Sequence, residues 1–368
     1  MPPRVTYWTG IWEPAREALS KEVEALRREL HPTAPVVSLS NGQRSSVSPG
    51  DRVIRLAGTR WMAFRAAAAL LEPFGDVSHA FGAMNAWHQL RALGRRPLIF
   101  TVALPGAALD PALYQKVTVF VAESECLADD LRRAGVAPER IHVIYPGVDL
   151  AEYRPAPRAA RDRFHVLFAS APSDTREFDA RGIPLLVEVA RLCPEIDVTL
   201  LWRSWGDQHA ARRVFASLNP PENIRIDQRR GRDMVSVYQD ADAIACLYEP
   251  GFGKSCPNSI VEALGCGVPA LVSSACGIAG LVARAGAGIA AARNPADVAD
   301  AVRTLRHDHA RFSAAARKLA ERHFDIRQFV GAYASLYERT TETAAIGGRI
   351  DVVPAEMRPR TPARQQGR

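Results

Sequence analysis

The chain has 368 residues, 47% of them hydrophobic and 24% charged, with a formal net charge of +7 at pH 7. That is enough sequence for two α/β domains with full cores, in an ordinary globular composition. The positive charge is spread along the chain, which argues against a nucleic-acid platform, and no apolar run approaches the roughly 20 residues that cross a bilayer. The six cysteines form no C-x-x-C pair and read as reduced core thiols, not as a zinc site or disulfide frame. The start MPPRVTYW lacks the apolar core of a signal peptide. A cytoplasmic protein is expected, with peripheral membrane contact left open.

In chain order, Arg4 to Trp8 reads as a first strand, followed by the turn Thr9-Gly10. Pro14 is expected to open an amphipathic helix running to Leu30, with Ala18, Val23, Leu26 and Leu30 on one face. Short apolar strands then alternate with helices: Val36 to Ser38, Arg52 to Leu56, Asp76 to Ala80, Pro97 to Val102 and Val117 to Ala122. Ser124 caps a helix that Gly135 stops, and a strand from Ile141 to Ile144 closes this half. Such alternation predicts a parallel sheet whose ligands lie beyond the strands' carboxyl ends. Gly10, His79 and Thr101 are expected there, and a plain hydrogen-bonded core histidine is the competing reading of His79.

Pro155 and Pro157 mark a boundary, after which the alternation restarts at Phe164. The expected division is residues 1–155, residues 156–325, a helix at 326–340, and a disordered tail from 341 to 368.

The stretch YEPGFGKSCPNSIVEALGCGVPALVSSACGIAGLV, residues 248–282, carries the most chemistry. Gly251 and Gly253 let a backbone pass close to a ligand. Ser259 and Glu262 have the spacing of a capping box, with Ser259 as N-cap and Glu262 three residues into the helix. Gly265 and Gly267 end that helix, and Pro269 precedes an extended apolar run. A glycine loop beside a helix N-terminus suits a phosphate, although an ordinary αβ turn has the same spelling.

The order PNSIVEALGCGVPALVSS resembles the donor-binding signature of family 4 glycosyltransferases, and VFVAESECLADDLRRAGVAPERIHVIYPGVDLAEYRP resembles the same family's crossover into its interdomain linker. The likeness extends over about residues 4 to 340. It implies the GT-B fold: two facing, doubly wound Rossmann-like domains with a cleft between them. It also implies a sugar transferred from a nucleoside diphosphate donor to a saccharide, lipid-linked or small-molecule hydroxyl, with retained anomeric configuration. No metal or other cofactor is expected. By the same resemblance Glu262 binds the donor ribose, Arg181 with the backbone N–H groups of Ser259 and Ile260 holds the diphosphate, and Asn258 sits beside them. Gly10 approaches the phosphates, Gly277 approaches the donor sugar, Arg203 is a further cation, and His79 orients the sugar or acceptor.

The sequence departs from the family at two places. The family's second carboxylate stands eight positions before the one at Glu262, where this chain has Lys254. An ammonium offers no acceptor to a sugar hydroxyl, so Lys254 is expected to meet the diphosphate or an acidic sugar, or else to point into solvent. The usual arginine after the first strand of the second half is also missing from FASAPSD. These departures keep two alternatives open: a silent protein that binds a nucleotide-sugar or a partner, and an epimerase or hydrolase of the same fold.

Overall fold

A computed structural model describes residues 2–345 apart from 42–43, 109, 158–161, 171, 173, 203–206 and 229–232. The first half comprises β1 (Val5–Thr9), α1 (Ala18–Leu30), β2 (Val36–Ser40), β3 (Ser46–Ser48), β4 (Val53–Ala57), α2 (Trp61–Leu71) and β5 (Val77–Ala83). It continues with α3 (Trp87–Ala92), β6 (Leu98–Leu104), α4 (Pro111–Gln115), β7 (Val119–Ala122), α5 (Glu125–Arg133) and β8 (Ile141–Val143). The second half opens with β9 (Phe164–Phe168), α6 (Glu177–Arg181), α7 (Ile183–Leu192), β10 (Ile196–Leu201), α8 (Gln208–Ser217), β11 (Ile224–Asp227) and α9 (Met234–Gln239). It ends with β12 (Ala243–Cys246), α10 (Asn258–Gly265), β13 (Ala270–Ser273), α11 (Ala279–Arg284), β14 (Gly288–Ala291), α12 (Pro295–His307), α13 (His309–His323) and α14 (Ile326–Ala345).

Two sheets result, in the orders β3-β4-β2-β1-β5-β6-β7-β8 and β11-β10-β9-β12-β13-β14. Among the described residues every strand pairing is parallel except that of β3 with β4. The strands are short and apolar because both faces are covered. In β1, Val5 and Tyr7 face one core while Trp8 faces the other. In β9, Phe164, Val166 and Phe168 face one core and Leu167 the other. In each sheet the winding direction reverses beside the first strand, between β1 and β5 and between β9 and β12. A crevice opens beyond the carboxyl ends of the strands at such a reversal.

Several local expectations hold. Ser124 accepts a hydrogen bond from the Leu127 N–H at 3.2 Å, and Gly135 takes the left-handed conformation that ends α5. Others need correction. α1 begins at Ala18 and not at Pro14, because the Glu17 carboxylate caps it by accepting from the N–H groups of Leu19 and Ser20. The last helix does not stop at residue 340 but runs to Ala345, with Thr340 buried. Of the tail, residues 346–368 lie outside the described residues.

α14 starts in the second half and lies under the first sheet. Its Tyr333 and Tyr337 are fully buried in the same core as Tyr7 and Phe81. The chain crosses between the halves at Gly147-Val148 and again at Asp325, where the two crossings form a parallel bridge. Among the described residues, no helix is long and apolar enough to cross a membrane.

Candidate functional site

A cavity of about 310 Å³ opens at the reversal point of the second sheet. Its floor is Ala169 and Ser170 after β9 and Tyr248 after β12, and its side is Pro257, Asn258, Ser259 and Glu262 at the start of α10. The facing wall comes from the first half: Arg16, Glu17, Ala18 and Lys21. A larger cavity of about 690 Å³ lies between Arg4, His31, Val53 and Phe74, at the amino ends of the first sheet's strands. It is on the wrong side of that sheet for the crevice, so the smaller, charged cavity is the candidate site.

Glu262 is buried and held from two sides. Tyr238 donates its hydroxyl to Oε2 at 2.7 Å, and Lys21 donates its ammonium to Oε1 at 2.8 Å. The capping-box expectation is therefore wrong. Pro257, extended at φ −65° and ψ 129°, is the N-cap, and its carbonyl accepts from the N–H groups of Ile260 and Val261. Ser259 is already the second helical residue and Glu262 the fifth, so its carboxylate faces the cavity and not the helix start. The same shift corrects Ile260, whose N–H is spent on Pro257 and is not free for a phosphate. The N–H groups of Asn258 and Ser259 precede the first intrahelical bonds and sit at the positive end of α10.

Arg181 ends α6 and reaches the cavity. It donates to Glu177 at 2.8 Å and to Ser170 at 2.5 Å, and lies over the ring of Phe252 at 5.2 Å. Gly182 follows with φ +77°, and a Cβ there would fall 2.7 Å from the Leu247 carbonyl oxygen, so only glycine lets Arg181 take this place. Gly10 borders open space, with nothing within 4 Å of an added Cβ. Gly277 is required by a contact within the chain, where a Cβ would meet Ser255 Oγ at 1.7 Å. Arg203 lies outside the described residues. Arg176 is a surface cation paired with Asp174.

Lys254 is neither in solvent nor free for an anion. Its side chain is 10% exposed, and its three N–H donors face Glu22 Oε1 at 2.5 Å, Glu123 Oε2 at 2.6 Å and Asn258 Oδ1 at 2.7 Å. The Glu123 contact is an ion pair by distance, while its angle falls outside hydrogen-bond geometry. Burial alone would lower the Lys254 pKa, but the Glu123 and Glu22 carboxylates outweigh it and hold the ammonium above the ordinary lysine range. Burial, with Glu22 next, pushes the Glu123 carboxyl well up. Beside this cluster Ser255 donates its N–H to the Ala103 carbonyl at 2.9 Å, and its hydroxyl meets Ser124 Oγ at 2.6 Å. The loop before α10 thus docks onto the carboxyl ends of β6 and β7.

His79 is not in the cleft. β5 continues to Ala83, which leaves His79 in mid-strand and fully buried. Its Nδ1 lies 2.7 Å from the Tyr337 hydroxyl and its Nε2 2.8 Å from Thr101 Oγ1, which in turn meets the Tyr333 hydroxyl at 2.8 Å. Burial, with His31 next, lowers its pKa well below the usual histidine value. It is a neutral core residue that fastens α14 to the first sheet. Sequence reasoning missed Lys21, Glu22, Glu123 and Tyr238. Lys21 and Lys254 are two of only four lysines in the chain, and that rarity was the one available signal.

A family profile described as Glycosyltransferase Family 4 matches residues 41–152, and one described as Glycosyl transferases group 1 matches residues 172–308. The chain belongs to the group 1, family 4 glycosyltransferases. A D-inositol 3-phosphate glycosyltransferase of Mycolicibacterium vanbaalenii is 30% identical over 160 residues, covering 38% of this chain and 34% of that protein. The matched segment therefore spans about a third of that relative's length. Sucrose-phosphate synthase from Thermosynechococcus elongatus superposes with a TM-score of 0.71 at 17% identity, over 93% of this chain and 100% of that one. Anabaena HepE in complex with UDP gives 0.68 at 17% identity, over 91% and 100%. These structures establish the fold: the family member has two facing parallel-sheet halves of the GT-B type.

Proposed function

We propose that this family 4 protein transfers a sugar from a nucleoside diphosphate donor to an acceptor hydroxyl in the cleft between its halves. The observation that carries the reading is the cavity at the second sheet's reversal point, where the buried Glu262 carboxylate faces cations from both halves. Adjacent ribose hydroxyls are donors that match Glu262, and phosphate oxygens are acceptors that match Arg181, the Ser259 N–H and the positive end of α10. Charge develops on the leaving phosphate as the glycosidic bond breaks, and donors fixed at that point lower the barrier. Independence from a metal belongs to the same reading, since the protein's own positive charge can meet the leaving phosphate, and retention of configuration is carried over from the family likeness. HepE, of the same fold, is known in complex with UDP and with UDP-glucose, which supports a nucleotide-sugar donor.

A second reading, nucleotide-sugar binding without turnover, is favoured by Lys254, which replaces an acceptor with a donor already committed to Glu22 and Glu123. Thermal shifts with UDP, GDP, ADP, CDP and dTDP and their sugars test the site, because ligand at a hundred times its dissociation constant adds about 2.7 kcal/mol. Release of nucleoside diphosphate from a donor that binds, in the presence of saccharide and lipid-linked acceptors, supports transfer. Binding with no release under any acceptor selects the second reading, and no shift with any nucleotide overturns both.

A further inference from the structure

Three of the cations that line the cavity are each matched by a carboxylate. Arg181 is paired with Glu177, Lys254 with Glu22 and Glu123, and Lys21 with Glu262. A diphosphate needs positive charge that is not already answered, and a pair able to release its cation would supply it. The three are not equally able to. Lys254 is enclosed by three acceptors, and taking it away would leave two buried carboxylates without a counter-charge. Arg181 is fixed by Ser170 as well as by Glu177.

Lys21 is different. Its side chain is 29% exposed against 8% for Glu262, it borders the candidate cavity, and it ends in a point charge on a flexible stem. Glu262 also keeps the Tyr238 hydroxyl when Lys21 leaves. We infer that Lys21 is a diphosphate ligand that rests on Glu262 only while the site is empty. When ribose hydroxyls take over Glu262 Oε1, Lys21 swings to the phosphates, so each buried group exchanges one partner for another and none is left unmatched. The inference rests on the nucleotide reading of the cavity and adds to it a cation from the first half, which couples donor binding to the facing domain. It also supplies the charge that the missing arginine after β9 would have carried.

Lys21→Met removes the charge and keeps the length. Binding of UDP, GDP and ADP to the wild-type chain by calorimetry identifies the preferred diphosphate, and the matching nucleoside is then titrated beside it. The expected result is a loss of at least tenfold in diphosphate affinity with nucleoside affinity unchanged or tighter, a weaker salt dependence, and rescue by Lys21→Arg. An equal loss for nucleoside and diphosphate would make Lys21 a structural strut and overturn the inference. A gain for both would make it only a plug on Glu262, and overturn it equally. If the wild-type chain binds no nucleotide, the reading of the cavity itself falls and this inference with it, whereas a normal wild-type titration isolates Lys21.

Discussion

The ammonium of Lys254, on the loop ahead of α10, lies 2.6 Å from the carboxylate of Glu123 at the end of β7, so a buried ion pair joins the two halves beside the cavity. Glu22 shares the same ammonium at 2.5 Å, which places two carboxylates on one cation. Removing one partner of a buried pair costs about 3–5 kcal/mol. Lys254→Met is expected to lower the unfolding free energy by roughly that amount in urea denaturation. The double variant with Glu123→Gln should recover part of the loss, and a Lys254→Met chain as stable as wild type would contradict the geometry.

The same cluster sets a pH dependence. The Glu123 carboxyl is raised in the folded chain, so above the ordinary glutamate value of 4.5 the unfolded chain releases its proton first. Folded stability therefore declines as pH rises from there towards the folded value. Glu123→Gln should flatten this decline, so its stability relative to the wild-type chain is higher at pH 8 than near pH 4.5. Thermal melts at the two pH values decide it, and a larger gain at the acid end would count against the assignment.

His79 contributes in the opposite sense. Its folded pKa is depressed, so below the ordinary value of 6.5 the unfolded chain takes up a proton that the folded chain refuses, and stability is lost as pH falls. His79→Ala also takes one partner from each of the Tyr337 and Thr101 hydroxyls, which keep Tyr7 and Tyr333, and leaves a void, at a cost of about 2–4 kcal/mol at neutral pH. Nucleotide affinity should not move. A tenfold change in that affinity at constant stability would return His79 to the cleft.

Glu262 and Tyr238 should behave as one unit. Glu262→Gln gives up charge-assisted bonding worth about 1.5–3 kcal/mol, so diphosphate affinity falls roughly ten- to a hundredfold. Tyr238→Phe removes the 2.7 Å bond that orients the carboxylate and should give a smaller loss in the same direction. Calorimetric titration of both variants and the double variant checks this, since coupled partners give losses that do not add.

Transfer should survive EDTA. The expectation rests on the Arg181 guanidinium and the positive N-terminal end of α10 at the leaving phosphate. A complete loss of transfer that Mn²⁺ or Mg²⁺ restores would replace that mechanism.

The alternation of short apolar strands with helices was legible because both faces of each sheet are buried, and that constraint is written into every strand. The end of α10 was legible too, since Gly267 takes φ +74° as a helix stop requires. What sequence spacing did not disclose are contacts made across long separations. Whether His79 faces a cleft or a core is decided by Tyr337, 258 positions away. Lys254 looks like a lost acid or a phosphate ligand until Glu22 and Glu123 are brought to it by a different sheet. Ser259 and Glu262 have the spacing of a cap, yet Pro257 sets the helix start two residues early and hands the carboxylate to the cavity.

The paired crossings have a mechanical consequence. Val148 donates its N–H to the Phe324 carbonyl at 2.7 Å, and Ile326 donates back to the Val148 carbonyl at 3.0 Å, so two lengths of chain run side by side from one half to the other. A single tether would let the halves swivel freely, whereas a bonded pair resists twisting and leaves bending across its width as the soft direction. Gly147 sits in the fold of that spine, where a Cβ would come 2.7 Å from Phe329 Cβ and 2.9 Å from Ile326 Cα. One methyl group at residue 147 would therefore act as a wedge, setting how far the book can shut without touching anything printed on its pages.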